Sequence, residues 1–125
     1  MVGQNIARGY KDKEPITLDC FVNCIEKWYK EVDNPPGFKS DPESPFKYDP
    51  GTNRYTQLVW ADTELVGCGM TYKRRSGGGY ETTTVCNYAV KGNVPGAVMY
   101  KVGDACSTCP SGYICEIEAG LCKRK

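Results

Sequence analysis

The chain has 125 residues, and its 16 lysines and arginines against 15 aspartates and glutamates leave a net charge of +1. This near-neutral balance argues against nucleic acid or an anionic membrane surface as the partner, and no apolar run approaches the roughly 18 residues of a membrane span. The chain has eight cysteines and no histidine. An even and high number of cysteines is typical of a disulfide-bonded protein from an oxidising compartment. We therefore expect a secreted monomer with one main core.

A helix from Thr17 to Val32 is the first segment with a strong pattern, whereas residues 1–16 are polar and have no firm assignment. Apolar residues recur along it at helical spacing: Leu18, Phe21, Val22, Ile25, Tyr29 and Val32. The opposite face carries Cys20, Cys24, Lys27 and Glu31. A disulfide between Cys20 and Cys24 would be strained by the rigid helical turn. We expect each to pair elsewhere, which hints at further sequence upstream of Met1.

A proline-rich loop follows, from Asn34 to Asn53. It is long for a compact domain, and loops of this length are often either binding loops or simply mobile. Three aromatic residues lie in it, Phe38, Phe46 and Tyr48. We favour the interpretation that these side chains fix the loop to the protein surface, because that role needs no ligand.

The centre of the chain predicts a β-hairpin. Two strand candidates, Leu65–Lys73 and Tyr80–Tyr88, flank a turn at Gly77–Gly79, where glycine accepts a positive φ without steric cost. With Gly77 at the apex, Cys68 lies opposite Cys86, close enough for a disulfide. The same register pairs Met70 with Thr84, Tyr72 with Thr82 and Lys73 with Glu81. We predict a hairpin held by a Cys68–Cys86 disulfide.

The C-terminal tail contains four cysteines, spaced Cys106-x2-Cys109-x5-Cys115-x6-Cys122. Cys-x-x-Cys spacing is also found in metal and redox sites, but the second pair lacks it and the compartment is expected to be oxidising. A small knot with two disulfides, stapling a segment too short for its own core, explains the tail more simply. We prefer a crossed or a nested pairing over two separate rings.

Five motifs occur in the order typical of one protein family. They are G-Q-N-I-A at Gly3–Ala7, E-K-W-Y-K-E-V at Glu26–Val32, R-Y-T-Q-L-V-W at Arg54–Trp60, V-G-C-G at Val66–Gly69 and C-N-Y-A-V-K-G-N at Cys86–Asn93. Over residues 2 to about 100, the chain resembles the CAP superfamily of cysteine-rich secretory, antigen 5 and pathogenesis-related proteins. Its V-G-Q-N-I-A opening is most similar to the antigen 5-like venom allergens of arthropods.

This resemblance implies an α+β fold, an α-β-α sandwich with a three-stranded antiparallel sheet, followed by a small disulfide-rich tail. Residues 1–100 would form the CAP-like domain, incomplete because the family's first helix would precede Gly3, and residues 101–125 a hinge-like tail. The family's hinge implies the disulfides Cys106–Cys115 and Cys109–Cys122.

The family's central cavity often holds a divalent metal on two histidines and two glutamates, a suitable set of zinc ligands. The matching positions here are Gln4, Glu31 and Arg54, and the fourth would lie on the upstream helix. Only Glu31 keeps the family's residue, and Arg54 is a permanent cation. We therefore expect no metal and no cofactor, with Arg54 either paired with Glu31 or directed to solvent.

Three functions follow from the resemblance. The first is a secreted, non-enzymatic antigen 5-like protein of venom or saliva that binds a host or prey target, or a small lipid. The second is an ion-channel-modulating toxin like the cysteine-rich secretory proteins, whose further cysteines are lacking here. The third is a hydrolase, although no Ser/His/Asp or Cys/His set can be assembled without histidine. We favour the first, with no catalytic residues.

Overall fold

The computed structural model describes residues 1–33 and 41–125, so part of the predicted loop, with Phe38, lies outside the described residues. The strands are β1 (Gly3–Lys11), β2 (Leu65–Arg74), β3 (Tyr80–Ala89), β4 (Tyr113–Glu116) and β5 (Leu121–Arg124). The helices are α1 (Thr17–Tyr29), continued by a 3-10 turn (Lys30–Asp33), and α2 (Asn53–Leu58). The predicted α+β fold with a three-stranded antiparallel sheet and a disulfide-rich tail is confirmed.

The main sheet has the strand order β1-β3-β2, and both pairings are antiparallel. The predicted hairpin register is confirmed, since Cys68 faces Cys86, Met70 faces Thr84 and Lys73 faces Glu81. The turn between β2 and β3 places Gly78 and Gly79 at positive φ, which only glycine adopts readily. A disulfide joins Cys68 to Cys86, and we refer to it as the hairpin disulfide.

Strand β1 lies in the segment that had no assignment from its sequence. It pairs with β3 along its whole length, from Gly3 opposite Tyr88 to Lys11 opposite Tyr80. Its buried residues alternate with exposed ones but are small or polar: Gly3, Asn5 and Ala7. The strand therefore forms because β3 offers a complete hydrogen-bonding edge.

Helix α1 is confirmed, but its buried side is not the apolar stripe. Cys20 and Trp28 are buried, as is Glu31 in the following turn, whereas Leu18 and Val22 of the stripe are 68% and 48% exposed. The small thiol side chains on this side allow a close approach to the sheet, and the Trp28 ring supplies the large apolar surface. Among the described residues, Cys20 and Cys24 form no disulfide.

Two clusters of buried side chains make up the core. The first combines Ala7, Trp28, Cys86 and Tyr88, and joins α1 to the sheet. The second combines Phe46, Trp60 and Met99, with the Phe46 and Trp60 rings edge to face. Phe46 therefore anchors the loop, as predicted, but it does so within the core and not at the protein surface. Tyr48 remains exposed.

The tail forms its own two-stranded sheet from β4 and β5. Its disulfides join Cys106 to Cys115 and Cys109 to Cys122, the crossed pairing. Glu64, just before β2, accepts hydrogen bonds from the Tyr113 hydroxyl and from the Arg124 guanidinium. These contacts, all at the surface, attach the tail to the main sheet.

Candidate functional site

Glu31 is the one position of the expected metal-binding set that keeps its acidic residue, and the fold buries it. The 3-10 turn after α1 presents its carboxylate to the start of α2. There one oxygen accepts hydrogen bonds from the backbone N–H groups of Arg54, at 3.1 Å, and Tyr55, at 3.0 Å. The other oxygen accepts from Nε of the Arg54 side chain.

This arrangement makes Glu31 a cap for α2. The helix has only six residues, and its N-cap residue, Thr52, makes no side-chain capping bond. Since the first backbone N–H groups of a helix lack partners within it, a carboxylate from another element can satisfy them and also favours the positive end of the helix. Glu31 therefore holds α2 against the end of α1.

Arg54 is paired with Glu31, the first of the two orientations considered for it. Its side chain is 35% exposed, against 9% for that of Glu31, and one of its terminal nitrogens donates to the carbonyl oxygen of Pro50 at 3.4 Å. Its own carbonyl oxygen accepts a hydrogen bond from the Asn5 side chain of β1 at 3.1 Å. The pair thus links three elements: β1, the 3-10 turn and α2.

Gln4 does not join this pair. It is exposed on β1, and its side-chain amide donates to Asn87 across the sheet at 2.9 Å. The neighbouring Asn5 is the buried one, and it also donates to the hydroxyl of Tyr88 at 3.3 Å. Burial raises the pKa of Tyr88, and the hydrogen bond from Asn5 partly opposes this rise.

Gln57, the last residue of R-Y-T-Q in the third motif, is a second buried amide. Its role was not predicted from the sequence. Its oxygen accepts from the backbone N–H of Gly92 at 2.9 Å, and its nitrogen donates to the hydroxyl of Thr63 at 3.1 Å. A Cβ on Gly3 would approach the Gln57 oxygen to 1.9 Å. Gln57 therefore fixes the chain around α2, and glycine is needed at position 3 to make room for it.

A cavity of about 650 Å³ opens beside the Glu31–Arg54 pair. Its walls are β1, the C-terminal part of α1 and the 3-10 turn. Apolar groups of Ile6, Ala7 and Trp28 line one part of it. Its charged lining residues are Arg8, Glu26, Lys27, Lys30, Glu31 and Arg54.

These residues do not fit a divalent metal. Of the three matching positions, Gln4 lies outside the cavity lining, and Arg54 brings a cation that cannot be deprotonated in a protein. Among the three matching positions Glu31 alone has a carboxylate, and it already accepts hydrogen bonds on both oxygens. In the tail, the sulfurs of Cys106, Cys109 and Cys122 lie within 4.8 Å of one another, but each belongs to a disulfide.

Comparison with known proteins identifies the family. A sequence model described as the cysteine-rich secretory protein family, or CAP, matches residues 5–88. The chain belongs to the CAP family. This assignment confirms the CAP resemblance stated from the five motifs, and the two relatives named venom allergen 5 that follow confirm its antigen 5-like character.

The most similar relatives of this CAP chain include two proteins named venom allergen 5. The one from Tityus serrulatus is 35% identical over 124 residues, which cover 99% of this chain and 28% of the relative. The one from Microctonus hyperodae is 36% identical over 100 residues, or 79% of this chain and 41% of the relative. The chain thus spans well under half the length of these two relatives.

A solved structure described as NaASP2 with Zn²⁺ has the same fold. Its TM-score is 0.72 at 26% identity, and the match covers 98% of this chain and 60% of that one. The zinc belongs to that protein. In the part of the CAP chain that the structure describes, no helix combines the length and apolar character needed to cross a membrane.

Proposed function

We propose that this CAP chain is a secreted, non-enzymatic antigen 5-like protein of venom or saliva, whose action is to bind a small lipid or a host or prey protein. The observation that carries the proposal is the capped carboxylate of Glu31. The one acid of the family's metal-binding set that this chain retains is engaged by the Arg54 side chain and by two backbone N–H groups. Glu31 therefore has a structural role in this site, because its carboxylate fixes α2 to the end of α1.

A general base needs a free lone pair within reach of a substrate proton. Glu31 accepts three hydrogen bonds, two on one carboxylate oxygen and one on the other, and is 8% exposed, so little of its acceptor capacity is open to a substrate. The chain contains no histidine that could take over proton transfer or activate a nucleophile. These features favour binding over hydrolysis.

The cavity beside Glu31 supports a binding role. Its volume of about 650 Å³ lies within the range of small-molecule sites, and the apolar groups of Ile6, Ala7 and Trp28 would contact a hydrocarbon part of a ligand. The disulfides fit an oxidising, extracellular setting, and two relatives carry the name venom allergen 5. On this basis we expect secretion and a ligand in the cavity.

The test combines turnover and extraction on the purified chain. Peptide, ester and phospholipid substrates are incubated with the wild type, with Glu31→Gln and with the surface control Lys101→Gln. We expect the same background rate from all three proteins, because the Glu31 carboxylate is engaged by Arg54 and by the start of α2. Turnover by the wild type that disappears only in Glu31→Gln would refute the proposal. Solvent extraction followed by mass spectrometry then asks whether a lipid accompanies the protein.

A further inference from the structure

Strand β2 forms an open edge of the main sheet. It pairs with β3 on one side only, and in the part of the chain that the structure describes no hydrogen bond joins its backbone to any other element. All of its residues except Met70 are exposed. Natural sheets commonly protect such an edge with a proline, a bulge or charges along it. Strand β2 has no proline, its register with β3 is unbroken, and its two charges, Lys73 and Arg74, lie at one end.

Alternate residues of β2 direct their backbone N–H and C=O groups to this open edge. In an antiparallel pair, opposed residues that exchange hydrogen bonds alternate with opposed residues that do not. At the hairpin turn, the N–H of Arg75 donates to the carbonyl oxygen of Gly79 at 2.9 Å, which assigns the odd-numbered residues of β2 to the bonds with β3. The short Cα–Cα distance of 4.1 Å between Cys68 and Cys86 agrees, because pairs without hydrogen bonds lie closer together. The backbone groups of the even-numbered residues therefore point outwards.

We propose that two copies of this chain pair through β2, antiparallel and about a two-fold axis at Gly69, to form one continuous sheet with three strands from each copy. Only residues with outward backbone groups can exchange hydrogen bonds, so an even-numbered residue of one copy must oppose an even-numbered residue of the other. With the axis at Gly69, Glu64 of one copy lies opposite Arg74 of the other, twice by symmetry. The same register opposes Val66 to Tyr72, and β-branched and aromatic residues pair favourably across strands.

Charge selects this register and favours a second copy as the partner. Moving the axis to Met70 leaves Arg74 opposite an apolar residue. Moving it to Cys68 shifts Arg74 past the strand, opposite Asp62 in the preceding turn. Among the described residues Arg74 takes part in no ion pair of its own copy. Glu64 accepts three hydrogen bonds from the tail, and a carboxylate has about four acceptor sites, so it retains capacity for the Arg74 of a second copy.

A cysteine at the axis tests both the dimer and its register. Opposed residues that do not exchange hydrogen bonds have Cβ atoms within reach of a disulfide, so Gly69→Cys should form a covalent dimer in a glutathione redox buffer. Gly67→Cys is the matched control, because both glycines are exposed and a Cβ on either meets nothing within 4 Å. Its two copies would lie about 13 Å apart along the strands, beyond the reach of a disulfide. Peptide mapping identifies the linked residue, since Cys20 and Cys24 are free thiols.

Sedimentation equilibrium measures the association of the wild-type chain without a cross-link. One strand edge is smaller than a standard interface, so we expect a Kd on the order of 10–100 µM, and at lower concentration the monomer expected from the sequence. Gly69→Asp sets two carboxylates opposite each other at the axis and should weaken the dimer by at least about tenfold. Gly67→Asp, opposite Thr71, should dimerise like the wild type. Circular dichroism checks that both variants fold.

Three results would overturn the proposal. A wild-type chain that stays monomeric up to about 1 mM would leave the edge of β2 to a strand of another protein. Equal weakening by Gly69→Asp and Gly67→Asp, or equal cross-linking by the two cysteine variants, would exclude the axis at Gly69. A wild-type dimer that neither aspartate variant weakens would place the interface elsewhere. None of these measurements involves the cavity, so they are independent of the proposed binding function.

Discussion

Removing the carboxylate of Glu31 should destabilise the fold more than removing its partner, Arg54. Glu31→Ala leaves two N–H groups at the start of α2 without an acceptor, at about 1 kcal/mol each. It also removes the ion pair with Arg54, whose side chain is 35% exposed, so that contribution is discounted for solvent screening to about 1 kcal/mol or less. The total is about 3 kcal/mol.

Arg54→Ala leaves the cap in place. The carboxylate still accepts from the backbone N–H groups of residues 54 and 55, so only the screened pair is lost, at about 1 kcal/mol. At about 3–5 °C per kcal/mol for a domain of this size, the melting temperature should fall by about 10 °C in Glu31→Ala and by about 4 °C in Arg54→Ala.

Thermal and urea denaturation followed by circular dichroism measure both variants. Glu26→Ala is the matched control, because Glu26 is an exposed glutamate that lines the same cavity, and we expect a change within about 0.5 kcal/mol. Equal losses in Glu31→Ala and Arg54→Ala, or a greater loss in Arg54→Ala, would show that the ion pair and not the helix cap holds this site together.

Four further predictions concern the metal, the hairpin and the tail. Zinc titrated into the wild type should show no one-to-one micromolar binding, because the Arg54 cation opposes a dication; one-to-one micromolar binding would show that these residues do accept a divalent metal. Replacing both cysteines of the hairpin disulfide by alanine should cost about 2–4 kcal/mol in urea denaturation, whereas a non-reducing peptide map that links either cysteine to the tail would exclude that disulfide. A chain ending at Tyr100 should keep one cooperative transition, as a separate tail requires, and a lost transition would argue for a shared core. Hydrogen bonds from Tyr113 and Arg124 lower the pKa of Glu64 below the ordinary 4.5, so the Arg124 Nε–H resonance should remain that of a bonded group at pH 4.5 and change only at lower pH.

The hairpin could be predicted in register because several local signals agree. Strand-type residues flank a run of glycines, and one apex brings two cysteines and the Lys73–Glu81 charge pair opposite each other at once. A shift by one residue would separate both pairs and reverse the faces of the strand. Independent constraints of this kind determine a register from sequence alone.

Helix α1 shows that apolar periodicity predicts a helix but not which of its sides is buried. Its spacing predicts a helix, but which side is buried depends on what packs against it, and that is a tertiary property. Trp28 lies on the flank of the apolar stripe and is 1% exposed, while Ile25 within the stripe is 40% exposed. The helix buries the side that carries one large aromatic ring and two small thiols, because the sheet packs against that side. The longer row of aliphatic side chains stays largely exposed.

The candidate site was only partly predictable for a related reason. Matching motifs brought Glu31 and Arg54 together correctly, because each lies on a helical element with its own motif. Gln4 lies apart from this pair, since side chains alternate along a strand and the buried neighbour, Asn5, is the one that reaches Arg54. Without β1 in the prediction, that alternation could not be applied.

The positive charge around the cavity could not be predicted from the sequence, because strand β1 had no assignment there. A net charge of +1 describes the average over the whole surface, and it says nothing about where unpaired cations gather. Lys27 and Lys30 lie away from the apolar stripe, which by itself suggests plain solvent exposure. Only when β1 is placed beside the end of α1 does Arg8 join them at one cavity. A nearly neutral chain can therefore carry an uneven local charge, because pairing in the fold, and not composition, decides which charges remain free.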